Sequence, residues 1–331
     1  MKWLLKHKVL SLMMVVAYLG LLISFTYRLP NQSLTLTGDL SPVNTIVDES
    51  KDPHFYTIYV VSMDRPTLFQ YFIATLSKKI DVSPLPDAYK GISALDQYKM
   101  GQIAEEISYQ YATIQAYTKA NLVDPTITIS YESLGYIVSY VDPLQFGIEL
   151  GDILIEVESV SHTNVPQSEF FGYFSNQDTV TVKVLRDNEL KTLTLHKVPS
   201  IDRYGIRLEP YFEIDTTPPL TTNYQTDFIG GPSGGLIQTL DLYMKLLNID
   251  LKALKIAGTG TIELDGTIGE IGGIEQKIWT AYDHDIDLFF CGEANYDAAL
   301  AVYETLKNPQ FQLIKVGDFD EAINIVMARL S

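Results

Sequence analysis

The sequence predicts a three-part chain: one N-terminal transmembrane helix, a mainly β module, and a C-terminal α/β (α+β) domain. Three observations carry this. Val9 to Tyr27 is a run without a charged residue, about as long as a bilayer core is thick at ~1.5 Å per residue. Between Ile127 and Val198, short alternating or apolar runs are separated by turn residues, the pattern of small strands. From Tyr204 to the C-terminus, strand-like and helix-like segments alternate, which describes an α/β arrangement.

Lys2, Lys6 and Lys8 precede the apolar run and only Arg28 follows it. The positive-inside rule then puts the N-terminus in the cytoplasm and everything after residue 30 outside, as a single-pass protein of the cell membrane. A cleaved signal peptide is the competing reading, but Ser24-Phe25-Thr26-Tyr27-Arg28 offers no small-x-small site. Residues 1–30 thus read as cytoplasmic N-terminus and anchor. The polar stretch 31–54, with Pro42 inside and Pro53 near its end, reads as a tether. In the region 55–124, Phe55–Met63 is β-branched and aromatic and predicts a strand. Leu68, Phe69, Phe72, Ile73 and Leu76 predict a helix over Thr67–Lys79. A long helix from Ser93 to Asn121 carries the stripe Ile103, Ile107, Tyr111 and Ile114. Residues 125–200 form the β module, with one short helical piece at Glu169–Phe174.

The last part, 204–331, opens with a strand over Tyr204–Ile214. A helix runs from Gly234 to Leu247, then a strand from Gly258 to Leu264 before an Asp265-Gly266 turn. Gly273 opens a helix to Tyr282. Strands at Ile286–Cys291 and Phe311–Val316 alternate with helices at Asn295–Leu306 and Phe319–Leu330. Whether 55–121 packs onto this part, making the β module an insertion, stays open at this level.

The net charge is −17. Since residues 1–38 hold four basic and no acidic residues, the remainder is more acidic still, a surface that repels phosphate backbones, so nucleic acid is no partner. Cys291, at the end of an apolar run, reads as a small buried hydrophobe. No G-x-x-x-x-G-K-[ST] occurs, so no ATP is expected. No cofactor and no metal enter the reading; a homo-oligomer is left open.

Chemistry concentrates at Gly230-Gly231-Pro232-Ser233-Gly234-Gly235 and at Lys277. A serine hydroxyl becomes a nucleophile when a base takes its proton, and a lysine can be that base only when burial keeps its amine neutral. Ile274, Ile278 and Trp279 supply apolar surroundings. Backbone donors for an oxyanion are sought at Gly230, Gly231, Ser233 and Gly234, at the N-terminus of an apolar helix whose dipole favours negative charge. Taken singly, Ser233 reads as a helix cap and Lys277 as a surface lysine.

"DFIGGPSGGL" followed by "IAGTGTIELDGTIGEIGGIEQK" resembles the proteolytic domain of Lon-type proteases, whose serine lies in a G-P-S-A-G motif. The resemblance implies Ser233 as nucleophile, Lys277 as general base and Thr259 as the residue that orients the lysine. Gly234 departs from the usual alanine. Gly135-Tyr136-Ile137-Val138 and Leu150-Gly151-Asp152-Ile153-Leu154 resemble a bacterial PDZ domain, departing from its pattern at Gln145-Phe146 and Ser159-Val160. That likeness implies a peptide-binding strand at Leu134, Gly135, Tyr136, Ile137 and Val138. Anchor, PDZ and Lon-like parts in this order are similar to the membrane-anchored, ATP-independent Lon-like proteases of Gram-positive bacteria, including a pheromone-processing type. The partners implied are peptides or unfolded segments. Two rival readings accompany this one: a catalytically inactive, membrane-tethered PDZ adaptor, and an α/β-hydrolase using Ser233 and His284, since Gly231–Gly235 also fits G-x-S-x-G.

Overall fold

A computed structural model of the chain describes residues 8–43, 53–175, 177–220 and 230–331. Helix α1 (Lys8–Thr26) has no buried residue. With a mean hydropathy of 2.2, it is among the described residues the one helix long and apolar enough to cross a membrane.

The first half of the segment expected as a tether is structured. Gln32–Pro42 is strand β1, because Ser33-Leu34-Thr35-Leu36-Thr37 alternates polar and apolar residues and buries Leu34. Residues 44–52 of that tether lie outside the described residues. β1 pairs antiparallel with β2 (Phe55–Asp64) and with β3 (Asp81–Pro84). Between β2 and β3 lies the short helix α2 (Leu68–Thr75), opened by a capping box in which Thr67 and Gln70 exchange side-chain-to-backbone bonds. The long helix is α3 (Ala94–Val123), with Ser93 as its N-cap and the expected stripe buried.

The remaining strands of this sheet come from the far end of the chain. β10 (Ile256–Thr259), β11 (Leu288–Gly292) and β12 (Gln312–Val316) complete the order β12-β11-β10-β2-β1-β3. β10 runs parallel to both β11 and β2, with Ile256 beside Phe55. Region 55–124 is therefore no separate unit: its first strand lies at the centre of the C-terminal domain's sheet. β10 is short and buried throughout, and such a strand needs a neighbour on each edge and a layer on each face.

Helices α3, α5 (Gly235–Leu246) and α8 (Phe319–Leu330) cover one face of the sheet through Ile107, Leu240, Phe290 and Val326. Helices α6 (Ile274–Tyr282) and α7 (Glu293–Tyr303) cover the other through Ile278, Phe289, Cys291 and Ala299. Leu288 and Phe290 face one layer and Phe289 and Cys291 the other, which is why that strand reads as unbroken hydrophobicity. Cys291 is the buried small residue its context suggested. β10 stops at Thr259, short of the expected Leu264, because the next residue, Gly260, bonds to Ser233 and Leu236 at the start of α5 instead of to a strand.

The second sheet has the order β8-β7-β5-β4-β9, all antiparallel, with β6 on β5. It comprises β4 (Thr128–Val141), β5 (Ile153–Val157), β6 (Val160–Ser161), β7 (Thr179–Arg186), β8 (Glu189–His196) and β9 (Ile206–Thr217), with helix α4 (Gln167–Gly172) on its core. The strand expected to open the C-terminal part at Tyr204 is β9, which pairs with β4 from Thr128↔Thr217 to Val141↔Ile206. The boundary at 204 moves accordingly. The β module is an insertion between α3 and α5, and its β4–β9 stem leans on α3. There the Gln110 side chain donates to Phe212 O (3.1 Å), and Tyr117 Oη donates to Pro218 O (2.7 Å).

The peptide-binding strand expected at Leu134–Val138 is not available. Tyr136 and Ile137 pair with Leu154 and Ile153 on one edge and with Pro210 and Glu209 on the other. Val138 exchanges backbone bonds with Asp152 and Gly151, and Leu134 sits at an irregularity in the β4–β9 register. An added peptide strand needs a free edge, and here both are taken. Gly135 is required because a Cβ there would lie 2.4 Å from Leu154 O.

Candidate active site

The serine enters α5 through a tight turn. Pro232–Gly234 form one 3-10 turn ahead of the helix, and Gly231 holds φ 113°, a conformation that strains any side chain. Helix α3 braces this turn from behind. Gly231 N–H donates to Gly101 O (2.9 Å) and Ser108 Oγ to Pro232 O (3.3 Å). Ser233 O accepts from Gly260 N–H (2.9 Å) and from Thr259 Oγ1 (3.0 Å). The end of β10 thus fixes the backbone of Ser233.

Lys277 lies in the first turn of α6, 44 residues from Ser233, and its Nζ is 2.8 Å from Ser233 Oγ and 2.9 Å from Thr259 Oγ1. Only 2 % of the residue is exposed. Burial lowers its pKa from 10.5 to about 7, so near neutrality much of it is uncharged. Cys291 is close enough to interact with it, and burial holds that thiol protonated, pushed up to about 12. Ile274 and Ile278 are buried as expected, whereas Trp279 is half-buried with Lys79 Nζ 5.4 Å from its ring centre.

Thr259 has one proton, and it goes to Ser233 O. Toward the lysine the hydroxyl therefore acts as acceptor, engaging one N–H. A neutral amine held this way has its lone pair free for the Ser233 hydroxyl, which then donates in the 2.8 Å contact.

The structure brings Ser233, Lys277 and Thr259 together. Gly230, Gly231, Ser233 and Gly234 share the turn ahead of α5, but the Gly231 N–H is spent on Gly101 and is no oxyanion donor. The Ser233 and Gly234 amides, at the α5 N-terminus, are the remaining candidates. His284 is bound elsewhere: its Nε2 is 2.8 Å from Asp39 Oδ1 and its Nδ1 is 2.8 Å from Thr280 O. The basic side chain within reach of Ser233 is Lys277 and not His284, which speaks against the α/β-hydrolase reading.

Four residues of the site escaped the sequence reading: Thr57, Gly101, Ser108 and Gln238. Gly101 had a signal, since a lone glycine inside a helical pattern usually has a packing reason. Here α3 and the serine turn touch backbone to backbone, and a Cβ on Gly230 would lie 3.0 Å from the Gly101 carbonyl carbon. Gly234 is explained by Thr57, whose methyl would be 2.9 Å from an alanine Cβ at 234. Gln238, one turn into α5, is buried with an amide oxygen that has no partner among the described residues.

Comparison with known proteins bears on this site. Residues 229–329 match the family described as Lon protease (S16) C-terminal proteolytic domain. A Lon protease from Endomicrobium trichonymphae is 32% identical over 100 residues, which is 30% of this chain and 12% of that protein. The chain thus spans only a small fraction of the relative's length. The matched segment contains Ser233, Thr259 and Lys277 and has mixed α/β content.

Proposed function

We propose that the chain is a membrane-anchored, ATP-independent serine endopeptidase with a Ser233–Lys277 dyad. The observation that supports it most is the 2.8 Å contact between the hydroxyl and a buried amine whose pKa is lowered to about 7. Neutral Lys277 takes the proton from Ser233 as Oγ adds to the scissile carbonyl carbon. The oxyanion gathers charge at the start of α5, where amides and the helix dipole favour it. The resulting ammonium gives its proton to the departing amine, leaving an acyl-enzyme. Lys277, neutral again, takes a proton from water, whose oxygen attacks the ester; Ser233 recovers its proton as the acid product leaves. Thr259 keeps the amine aimed throughout.

In this reading α1 spans the bilayer with the N-terminus in the cytoplasm, and the catalytic domain acts outside. The apolar helix and the basic residues before it support that topology. Substrates are short peptides or unfolded segments, a secreted signalling peptide among them, since the chain has no nucleotide-binding motif with which to drive unfolding. The test incubates the full chain with a mixed peptide library in detergent without ATP and reads new termini by mass spectrometry. Cleavage is expected from the wild type and from His284→Ala, and none from Ser233→Ala or Lys277→Ala. Equal cleavage by all four would overturn the dyad; none by any would favour the inactive adaptor.

A further inference from the structure

Phe69, Phe72, Ile73 and Leu76 lie at i, i+3, i+4 and i+7 along α2 and its C-cap. In a globular protein such a stripe faces the core. Here it faces out: the four residues are 37%, 58%, 44% and 70% exposed, and within α2 only Ala74 is buried.

The stripe lies beside the exit of α1. Leu29 N–H donates to Pro66 O (2.8 Å), Leu68 N–H to Tyr27 O (3.1 Å), and Arg28 forms a bridge with Thr67. The rings of Phe25 and Phe69 are 4.4 Å apart, centre to centre. Phe25 belongs to the apolar run that ends at Tyr27, so at ~1.5 Å per residue it lies about 3 Å inside the edge of that run. Phe69, against it, shares that depth. The charge the element itself carries is of one sign. Residues 65–80 contain Arg65, Lys78 and Lys79 and no acid, in a chain whose net charge is −17. Lys79 reaches back to Asp283 (2.6 Å) beside Trp279, tying this element to the helix of Lys277.

We propose that α2 is an interfacial helix. It sets Phe69, Phe72, Ile73 and Leu76 into the headgroup–acyl boundary of the leaflet from which α1 emerges, with flanking lysine and arginine on anionic headgroups. The occupant of the exposed stripe is a lipid surface, and the catalytic domain sits directly on the bilayer. The proposal rests on the reading of α1 as a membrane anchor, and on nothing in the dyad.

The test places an environment-sensitive fluorophore on the full chain at Leu76→Cys, at Phe25→Cys as span reference and at Glu189→Cys as aqueous reference. Each is reconstituted in vesicles of phosphatidylcholine with a minority of phosphatidylglycerol. The probe at 76 is expected to be quenched by lipid-borne nitroxide like the probe at 25 and shielded from iodide, with the probe at 189 behaving in the opposite way. Adding Phe72→Glu is expected to lift probe 76 into water. If 76 is open to iodide while 25 is in lipid, the docking is wrong and the anchor stands. If 25 and 76 are both open to iodide, the anchor reading falls and the docking with it. Shielding of 76 from both quenchers would mean a protein covers the stripe, which also overturns the proposal. None of these readouts requires peptide cleavage.

Discussion

Lys277 is where stability and activity pull against each other. Its folded-state pKa is depressed from 10.5 to about 7 by burial. Below about pH 7 both folded and unfolded chains hold the proton and the burial cost is fully felt. Between 7 and 10.5 the unfolded chain holds a proton that the folded chain has shed, so stability rises with pH. At ~1.4 kcal/mol per unit the shift amounts to on the order of 4 kcal/mol against folding near neutrality. Lys277→Met is therefore expected to raise the unfolding midpoint at pH 7 and to flatten its rise toward pH 10, with cleavage abolished. In the wild type kcat/KM is expected to rise through about pH 7 as the amine loses its proton, and not to fall again until well above it. Thr259→Val keeps the shape but removes the acceptor that aims the amine. Peptide kinetics are expected to show kcat reduced by about 10²-fold, the scale of a misplaced catalytic group, with KM nearly unchanged and Thr259→Ser restoring most of it. Neither Ser233 nor Lys277 could be told from a cap or a surface lysine alone. Their glycine-rich contexts in the right order made the pair legible, whereas the 2.8 Å contact and the burial behind it are tertiary facts.

At the scale of elements, the site depends on how closely α3 approaches the turn before α5. A methyl on Gly230 would press on the Gly101 carbonyl carbon at 3.0 Å, and helix backbone has little room to yield. Gly230→Ala is expected to cost about tenfold or more in kcat/KM by displacing Ser233, with the unfolding midpoint close to wild type. Gly101→Ala is the contrasting case: its Cβ would meet Gly230 Cα at an ordinary 3.6 Å. Helix propensity then favours the variant by about 0.5–1 kcal/mol, and thermal unfolding with a cleavage assay would show gained stability at near-native activity. Sequence periodicity found α2, α3 and α8 because helices carry their pattern locally. It could not say that the stripe of α2 faces out, because spacing reveals a face and not what the face meets. β1 was missed because the polar composition of 31–54, with Pro42 inside and Pro53 near its end, outweighed Leu34 and Leu36.

Across the whole molecule, the segment matched as a proteolytic domain is not the whole catalytic body. β10 needs β2 along its edge, and α5 needs α3 on its flank. A chain beginning at residue 204 is expected to aggregate or lack native circular dichroism. Replacing 128–217 by a short glycine link should instead leave the main sheet folded and still able to cut short peptides, because Thr128 and Thr217 are register partners at the base of the stem. This permuted architecture was the least legible part, since a strand's sequence does not name its neighbour: Ile206–Thr217 looked like the opening of the C-terminal domain and belongs to the insertion. The same permutation sets a schedule for biosynthesis. The edge of β2 that receives β10 is complete at Asp64, but Ile256 is made roughly 190 residues later, and at about 5–20 residues per second that interval is on the order of 10–40 s. Through that interval the nascent chain carries an open strand edge, Ser233 is made only near its close and Lys277 after it, so the contact between the two side chains has to wait until β10 and the start of α6 have both been translated.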